Sequence, residues 1–316
     1  MFKKILIPLD GSSLAECVLS HAVSLSLANH SQIHLLRVLN PVSSEVRISS
    51  GDPFEWNFRK VEAETYLKNI SLKFVDLGVE THVLTAEGKT ADTIIEYAHH
   101  QGIDLILISS HGKSGLTGWN VSSVVQKVIF RAHTSIMIIR AYQPVQVEPF
   151  CYGRILLPLD GSQRAESVLQ IAIELSRFWK AELLVAHVIA RPQMPRWKPL
   201  SQEEIQLAEK IVECNRVEAT QYLAELKHRF ALQLETHLFV SDKVASSLHR
   251  FVKDQDVDLV VLTAHGFSGE TAWPYGSMVF TFIAYGSSPL LIYQDMSTEN
   301  IQLNPAEEAT KERGDH

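Results

Sequence analysis

The segment KKILIPLDGSSLAECVL at residues 3–19 returns at residues 153–169 as GRILLPLDGSQRAESVL, and this repetition constrains the fold more than any other feature of the chain. Ile5, Leu6, Pro8, Leu9, Asp10, Gly11, Ser12, Ala15 and Glu16 all fall on identical residues. Further along, HGKSGLTGW (111–119) lies over HGFSGETAW (265–273) at a slightly larger offset. A self-match of this kind marks a tandem duplication with a small insertion in the second copy, so whatever one copy folds into is built twice. The 316 residues leave each copy enough chain to bury its own core. The join is expected at 141–152, where Pro144 and Pro149 interrupt a stretch without helical period. The expected domains are residues 1–142 and 152–295, followed by a tail, 296–316, whose polar composition reads as disordered.

Within each copy, short apolar runs alternate with amphipathic stretches. Residues 4–9, 33–39, 79–84, 103–109 and 135–140 read as strands, because runs such as DLILIS and SIMIIR are short and rich in Ile. Helical spacing appears at 13–29, 56–76, 89–101 and 120–132. The second copy repeats the strands at 154–159, 182–189, 234–240, 257–263 and 289–294. This alternation predicts an α/β fold of two tandem doubly wound (Rossmann-like) domains, each a five-stranded parallel sheet with helices on both faces. The segments 40–53 and 190–201, rich in Pro, Ser and Arg, read as surface connectors.

A net charge of -7 argues against a broad nucleic-acid surface, and no nucleic-acid partner is expected. No apolar run is long enough to span a bilayer, and the run after Lys3 and Lys4 is too short for a signal peptide, so no membrane partner and a cytoplasmic location are expected. Cys17, Cys151 and Cys214 are widely spaced and are expected to be small buried hydrophobes. No HExxH or similar spacing of histidines predicts a metal site.

Ligands of open parallel sheets gather where strand order reverses, at the carboxyl ends of the strands. For an order 3-2-1-4-5 that point lies between strands 1 and 4, which brings Asp10 opposite Ser109–Gly112 and Asp160 opposite Thr263–Gly266. Two readings stand for the aspartate: a turn and helix cap with Gly11, Ser12 and Ser13, with Ser13 and Glu16 as a capping box, or an acceptor for a ribose or base edge. Gly112 and Gly115 ahead of a helix starting near Ser122 suit an anion such as phosphate. The P-loop and the dinucleotide GxGxxG are both missing from their expected places, which disfavours a conventional kinase, motor-type NTPase or NAD enzyme. His111 and His265 read as phosphate contacts, as groups for proton transfer or as loop caps, and Trp119 and Trp273 as packing residues.

With the runs ILIPLDGS and ILLPLDGS and the late glycine loops on the page, the chain resembles the universal stress protein family in its tandem two-domain form, over roughly residues 2–295. The resemblance implies an adenine-nucleotide site. In the first copy it would use Pro8, Leu9, Asp10, Val38, Ser109, Gly112, Ser122 and Ser123. In the second it would use Pro158, Leu159, Asp160, Val188, Thr263, His265, Gly266, Gly276 and Ser277. The family's G-x2-G-x9-G-[ST] motif has lost both outer glycines in the first copy and only its first in the second, so the second domain is the expected nucleotide site; Lys113, aligned with Phe267, points the other way.

Three functions follow in order: a stress-response sensor or protective module binding ATP or AMP, with Mg²⁺ if ATP; a nucleotide-independent interaction protein; and a slow ATP hydrolase. Catalysis ranks last because no nucleophile elbow precedes a helix. The resemblance also implies an intramolecular pseudo-dimer through SIMIIR and PLLIYQ, with a homodimer as a further step. The sequence names no signalling partner.

Overall fold

The computed structural model describes residues 2–41, 53–113, 115, 121–141, 148–192, 199, 201–230, 234–266 and 275–295. Most of the two connectors, Trp119, Trp273, Phe267 and the tail lie outside the described residues. Two compact units emerge: one comprises the chain to Cys151 together with residues from Ile283 onward, the other Tyr152–Phe282.

The first unit runs β1 (Lys4–Pro8), α1 (Ser13–Glu16), α2 (Leu19–Asn29), β2 (Gln32–Leu39), α3 (Pro53–Val75), β3 (Thr81–Glu87), α4 (Thr90–Gln101), β4 (Leu105–Ser109), α5 (Ser123–Arg131) and β5 (Ser135–Ile139). Its strands lie in the order β3-β2-β1-β4-β5, so the reversal falls between β1 and β4. The parallel pairs Leu6↔Ile106 and Pro8↔Leu36 set the register at that point. Every residue of β4 and β5 is buried, as strands covered on both faces require. Right-handed crossovers put the helices of the β1–β2–β3 half on one face and α4 and α5 on the other. His99 Nε2 donates to Ala132 O at 2.7 Å, tying α4 to the end of α5.

The second unit repeats the plan with β6 (Arg154–Pro158), α6 (Gln163–Glu166), α7 (Leu169–Trp179), β7 (Glu182–Ala190), α8 (Gln202–Phe230), β8 (Leu234–Ser241), α9 (Val244–Asp254) and β9 (Leu259–Thr263), followed by α10 (Ser277–Tyr285) and β10 (Leu290–Tyr293). Its strands follow β8-β7-β6-β9. The last strand of the second repeat, β10, groups with the first unit and pairs antiparallel with β5 through Leu290↔Ile138 and Ile292↔Ile136. Arg140, fully buried, donates from Nη1 to Ile283 O at 3.3 Å beside that ladder.

Three local expectations change. The helix expected over 13–29 is interrupted at Cys17 and Val18. The strand expected at 79–84 starts later and ends at Glu87, because β3 is an edge strand whose end is set by its ladder to β2 and not by its apolar run. Of the cysteines only Cys17 is buried; Cys151 and Cys214 are exposed thiols, the latter on a long helix whose buried side chains all lie beyond it, at Ala219, Leu223 and Leu226. No described helix is long and apolar enough to cross a membrane.

Candidate functional site

The end of β1 is shaped by residue chemistry. Ile5, Leu6 and Ile7 are fully buried, and Pro8, which has no N–H to give, closes the strand before Leu9 N–H bonds Leu36 O at 2.8 Å. Gly11 takes φ 81°, a left-handed conformation that leaves room for the turn. Ser12, and not Ser13, is the N-cap of α1: its Oγ accepts from Ala15 N–H at 3.2 Å, while Glu16 accepts from the Tyr66 hydroxyl at 2.9 Å. The Ser13–Glu16 capping box is therefore absent.

Asp10 orders its own turn and ties it to the loop after β4. Oδ1 accepts from Ser12 N–H at 3.0 Å and from Ser12 Oγ at 2.6 Å, and Oδ2 accepts from the Lys113 amide of the loop after β4. A Cβ on Gly112 would collide with that carboxylate, so glycine is needed there for close approach. The second unit reproduces the arrangement. Asp160 Oδ1 accepts from Ser162 N–H at 3.0 Å and Oγ at 2.6 Å, and a Cβ on Gly266 would collide with Asp160 Oδ2.

The loops after β4 and β9 are closed alike. The Ser109 hydroxyl lies 2.7 Å from the His111 and Leu14 carbonyls, and the Thr263 hydroxyl donates to His265 O at 2.7 Å. Ser122 N–H bonds Ser110 O at 2.8 Å, and Gly276 N–H bonds Ala264 O at 2.7 Å, in matching places. Cys17 sits under this loop, its thiol donating to Ser109 Oγ at 3.4 Å, and burial pushes its pKa up to about 11.

A cavity of about 350 Å³ opens between the two loops in the first unit, lined by Pro8, Leu9, Asp10, Val38, Ser109, Gly112 and Ser122 as the sequence suggests. The second unit holds one of about 220 Å³, lined by Pro158, Leu159, Asp160, Val188, Thr263, Gly266, Gly276 and Ser277. Ser123 and His265 are expected site residues that do not line these cavities; Ser123 begins α5, and His265 is buried with its carbonyl closing the loop. The first turn of α5 (Val124, Val125) and of α10 (Met278, Val279) faces each cavity, where backbone N–H groups at a helix start lack intrahelical partners.

The glycine pattern does not rank the two sites. A Cβ on Gly276 would meet Ala264 O at 3.6 Å, ordinary van der Waals contact, and Gly276 lacks a left-handed φ, so a serine fits there as Ser122 does in the first unit. The first position carries a hydroxyl in both copies with the same bond. Backbone conformation and protein contacts therefore do not require glycine at position 276.

Sequence reasoning picked out Lys113 but missed the two arginines of the first cavity. Arg37, Arg59 and Lys113 all line it, whereas Asp160 is the one charged side chain among the described residues lining the second. Arg37 follows Leu36, the partner of Pro8; the same register position in β7, after Ala186, holds His187. Arg37 lies over the Tyr66 ring, 5.1 Å from its centroid, and against Gly11. His187 donates from Nδ1 to Leu159 O at 2.9 Å, and burial lowers its pKa, which keeps it neutral near pH 7. The signal was readable only by aligning Arg37 with His187.

The model of the universal stress protein family matches residues 1–140 and again 152–294. The chain belongs to the universal stress protein family. Among curated relatives it is similar to universal stress protein MJ0531 of Methanocaldococcus jannaschii, 29% identical over 142 residues, covering 44% of this chain and 83% of that protein. It is also similar to universal stress protein YxiE of Bacillus subtilis, 28% identical over 148 residues, covering 44% of this chain and all of that protein. A solved universal stress protein from Archaeoglobus fulgidus shares the fold over 93% of this chain and 98% of its own, with TM-score 0.67 and 15% identity.

Proposed function

We propose that the chain is a stress-response module that binds an adenine nucleotide, ATP or AMP, at the carboxyl ends of β1 and β4 and of their second-unit counterparts. One observation carries this reading: in each unit a strand-end carboxylate and a loop glycine stand in contact across the strand-order reversal, with the first turn of a helix lining the same cavity. The backbone amides there suit phosphate oxygens, and the apolar strand ends, Val38 and Leu39 or Val188, suit a base. Mg²⁺ would arrive on the phosphates, since no group of three metal-ligating side chains occurs among the described residues. The pairing of β5 with β10 supports the reading that two repeats replace two subunits. Denaturing the purified protein and identifying released nucleotides by mass spectrometry tests the proposal, followed by thermal melts with added ATP and AMP. Release of an adenine nucleotide, or a rise in Tm with concentration, is the expected result. No release and a flat Tm at millimolar nucleotide would reject it.

A second reading, an interaction protein independent of nucleotide, is favoured by the exposed apolar face of α3, where Phe58, Val61, Leu72 and Val75 are all more than half exposed. The same melts decide between the two.

A further inference from the structure

The two cavities share a backbone but not a charge, and that contrast goes beyond the reading on which it rests. Arg37, Arg59 and Lys113 line the first cavity along with Asp10, and none of the three is ion-paired with a described carboxylate. The Asp10 carboxylate is already held by Ser12 and the Lys113 amide, so the cations remain available to an incoming anion. Two of them are braced: Arg37 against the Tyr66 ring and Arg59 over the Trp56 ring at 5.7 Å. Stacking a guanidinium on an aromatic face holds its donors in a plane and leaves its fork free for phosphate oxygens. The second cavity is smaller, and a phosphate tail there would face Asp160 with no cationic side chain among the described lining residues; His187, at the register position of Arg37, does not line it.

We infer that the first cavity selects nucleotides by the number of their phosphates, with Arg37, Arg59 and Lys113 supplying the countercharge in place of a divalent ion, and that the second cavity takes adenosine or a singly phosphorylated nucleoside. The first site therefore binds a nucleoside polyphosphate with or without Mg²⁺.

Calorimetric titration of adenosine, AMP, ADP and ATP, in EDTA and again with Mg²⁺, tests this in the Gly266→Val protein, whose second cavity is disrupted. Affinity rises about tenfold per phosphate in both buffers, and weakens with added salt. Arg37→Met and Lys113→Met each flatten the series by about tenfold for ATP while adenosine binding changes by less than about threefold. The exchange His187→Arg, made in a Gly112→Val protein, introduces phosphate dependence into the second cavity and needs no damage to the first unit's cation set. A flat series in the Gly266→Val protein, or one that survives loss of both cations or collapses in EDTA, overturns the charge assignment while leaving nucleotide binding intact. Failure of every ligand, adenosine included, in the unmodified protein overturns the binding reading itself and this inference with it.

Discussion

In the first unit Arg37 projects from β2 against Gly11 and rests on Tyr66; in the second, His187 occupies the same register position, donates a hydrogen bond to Leu159 O and is kept neutral by burial. Around them the turns agree to within 0.1 Å: Ser12 and Ser162 each meet their aspartate at 3.0 and 2.6 Å, and Ser109 and Thr263 each close a loop at 2.7 Å. Duplication has therefore preserved the device that builds a cavity and left the side chains around it free to diverge. Backbone geometry is set by residues with few substitutes, a glycine against a carboxylate or a serine cap, whereas charge at a cavity wall changes with one side chain.

The comparison breaks most visibly at the glycines. Gly112→Val drives a side chain into Asp10, and Gly266→Val does the same to Asp160. Each is expected to abolish binding in its own unit by about a hundredfold or more and spare the other, as titration calorimetry measures. Equal loss from both units in either variant would contradict separate sites. Next in size, Asp10→Ala and Asp160→Ala remove a charged acceptor from two or more donors, and each should lower stability by about 1.5–3 kcal/mol in denaturant titration. An unchanged midpoint would show that the loop is held elsewhere.

A smaller effect separates the units by pH. His34 on β2 is buried 2.8 Å from the Tyr97 hydroxyl, and burial, with His82 and Lys4 nearby, lowers its pKa to about 4; Leu184 stands at its place in β7. A histidine that resists protonation only when folded contributes its full stability above the unfolded pKa of about 6.5, and that contribution falls away as pH drops toward 4. His34→Leu should therefore reduce the fall in Tm between pH 6.5 and 4, an effect on the order of 1 kcal/mol, while His187, also lowered by burial, keeps part of the slope. An identical slope in the variant would refute the assignment. Smallest of all, Gly276→Ser imitates Ser122 and should shift stability by only a few tenths of a kcal/mol with nucleotide affinity unchanged. A large loss of affinity would restore the importance of that glycine.

The duplication and the alternation of strands and helices were legible because each rests on a local pattern: apolar runs such as LILIS, a helical period, and the DGS turn written twice; the reversal between β1 and β4 followed from supposing a strand order, which the sheet has. Asp10, Gly112 and their counterparts were legible for the same reason. The edge strand β3 was misplaced because half of its residues face solvent and its end depends on pairing with Leu39. Arg37, Arg59 and Thr90 were not legible as site residues, since they come from β2, α3 and α4, distant in sequence, and meet only once the sheet has ordered them. That Gly276 has no left-handed φ and room for a Cβ was not legible, because a glycine in sequence reveals neither its φ nor what its missing Cβ would touch.

Native mass spectrometry of the unmodified chain titrated with ATP in EDTA, alongside Gly112→Val and Gly266→Val, addresses the central claim directly. One ATP per chain, retained by Gly266→Val and lost by Gly112→Val, is the expected result. ATP bound equally well after Gly112→Val, or no ATP bound by any of the three proteins, would contradict it.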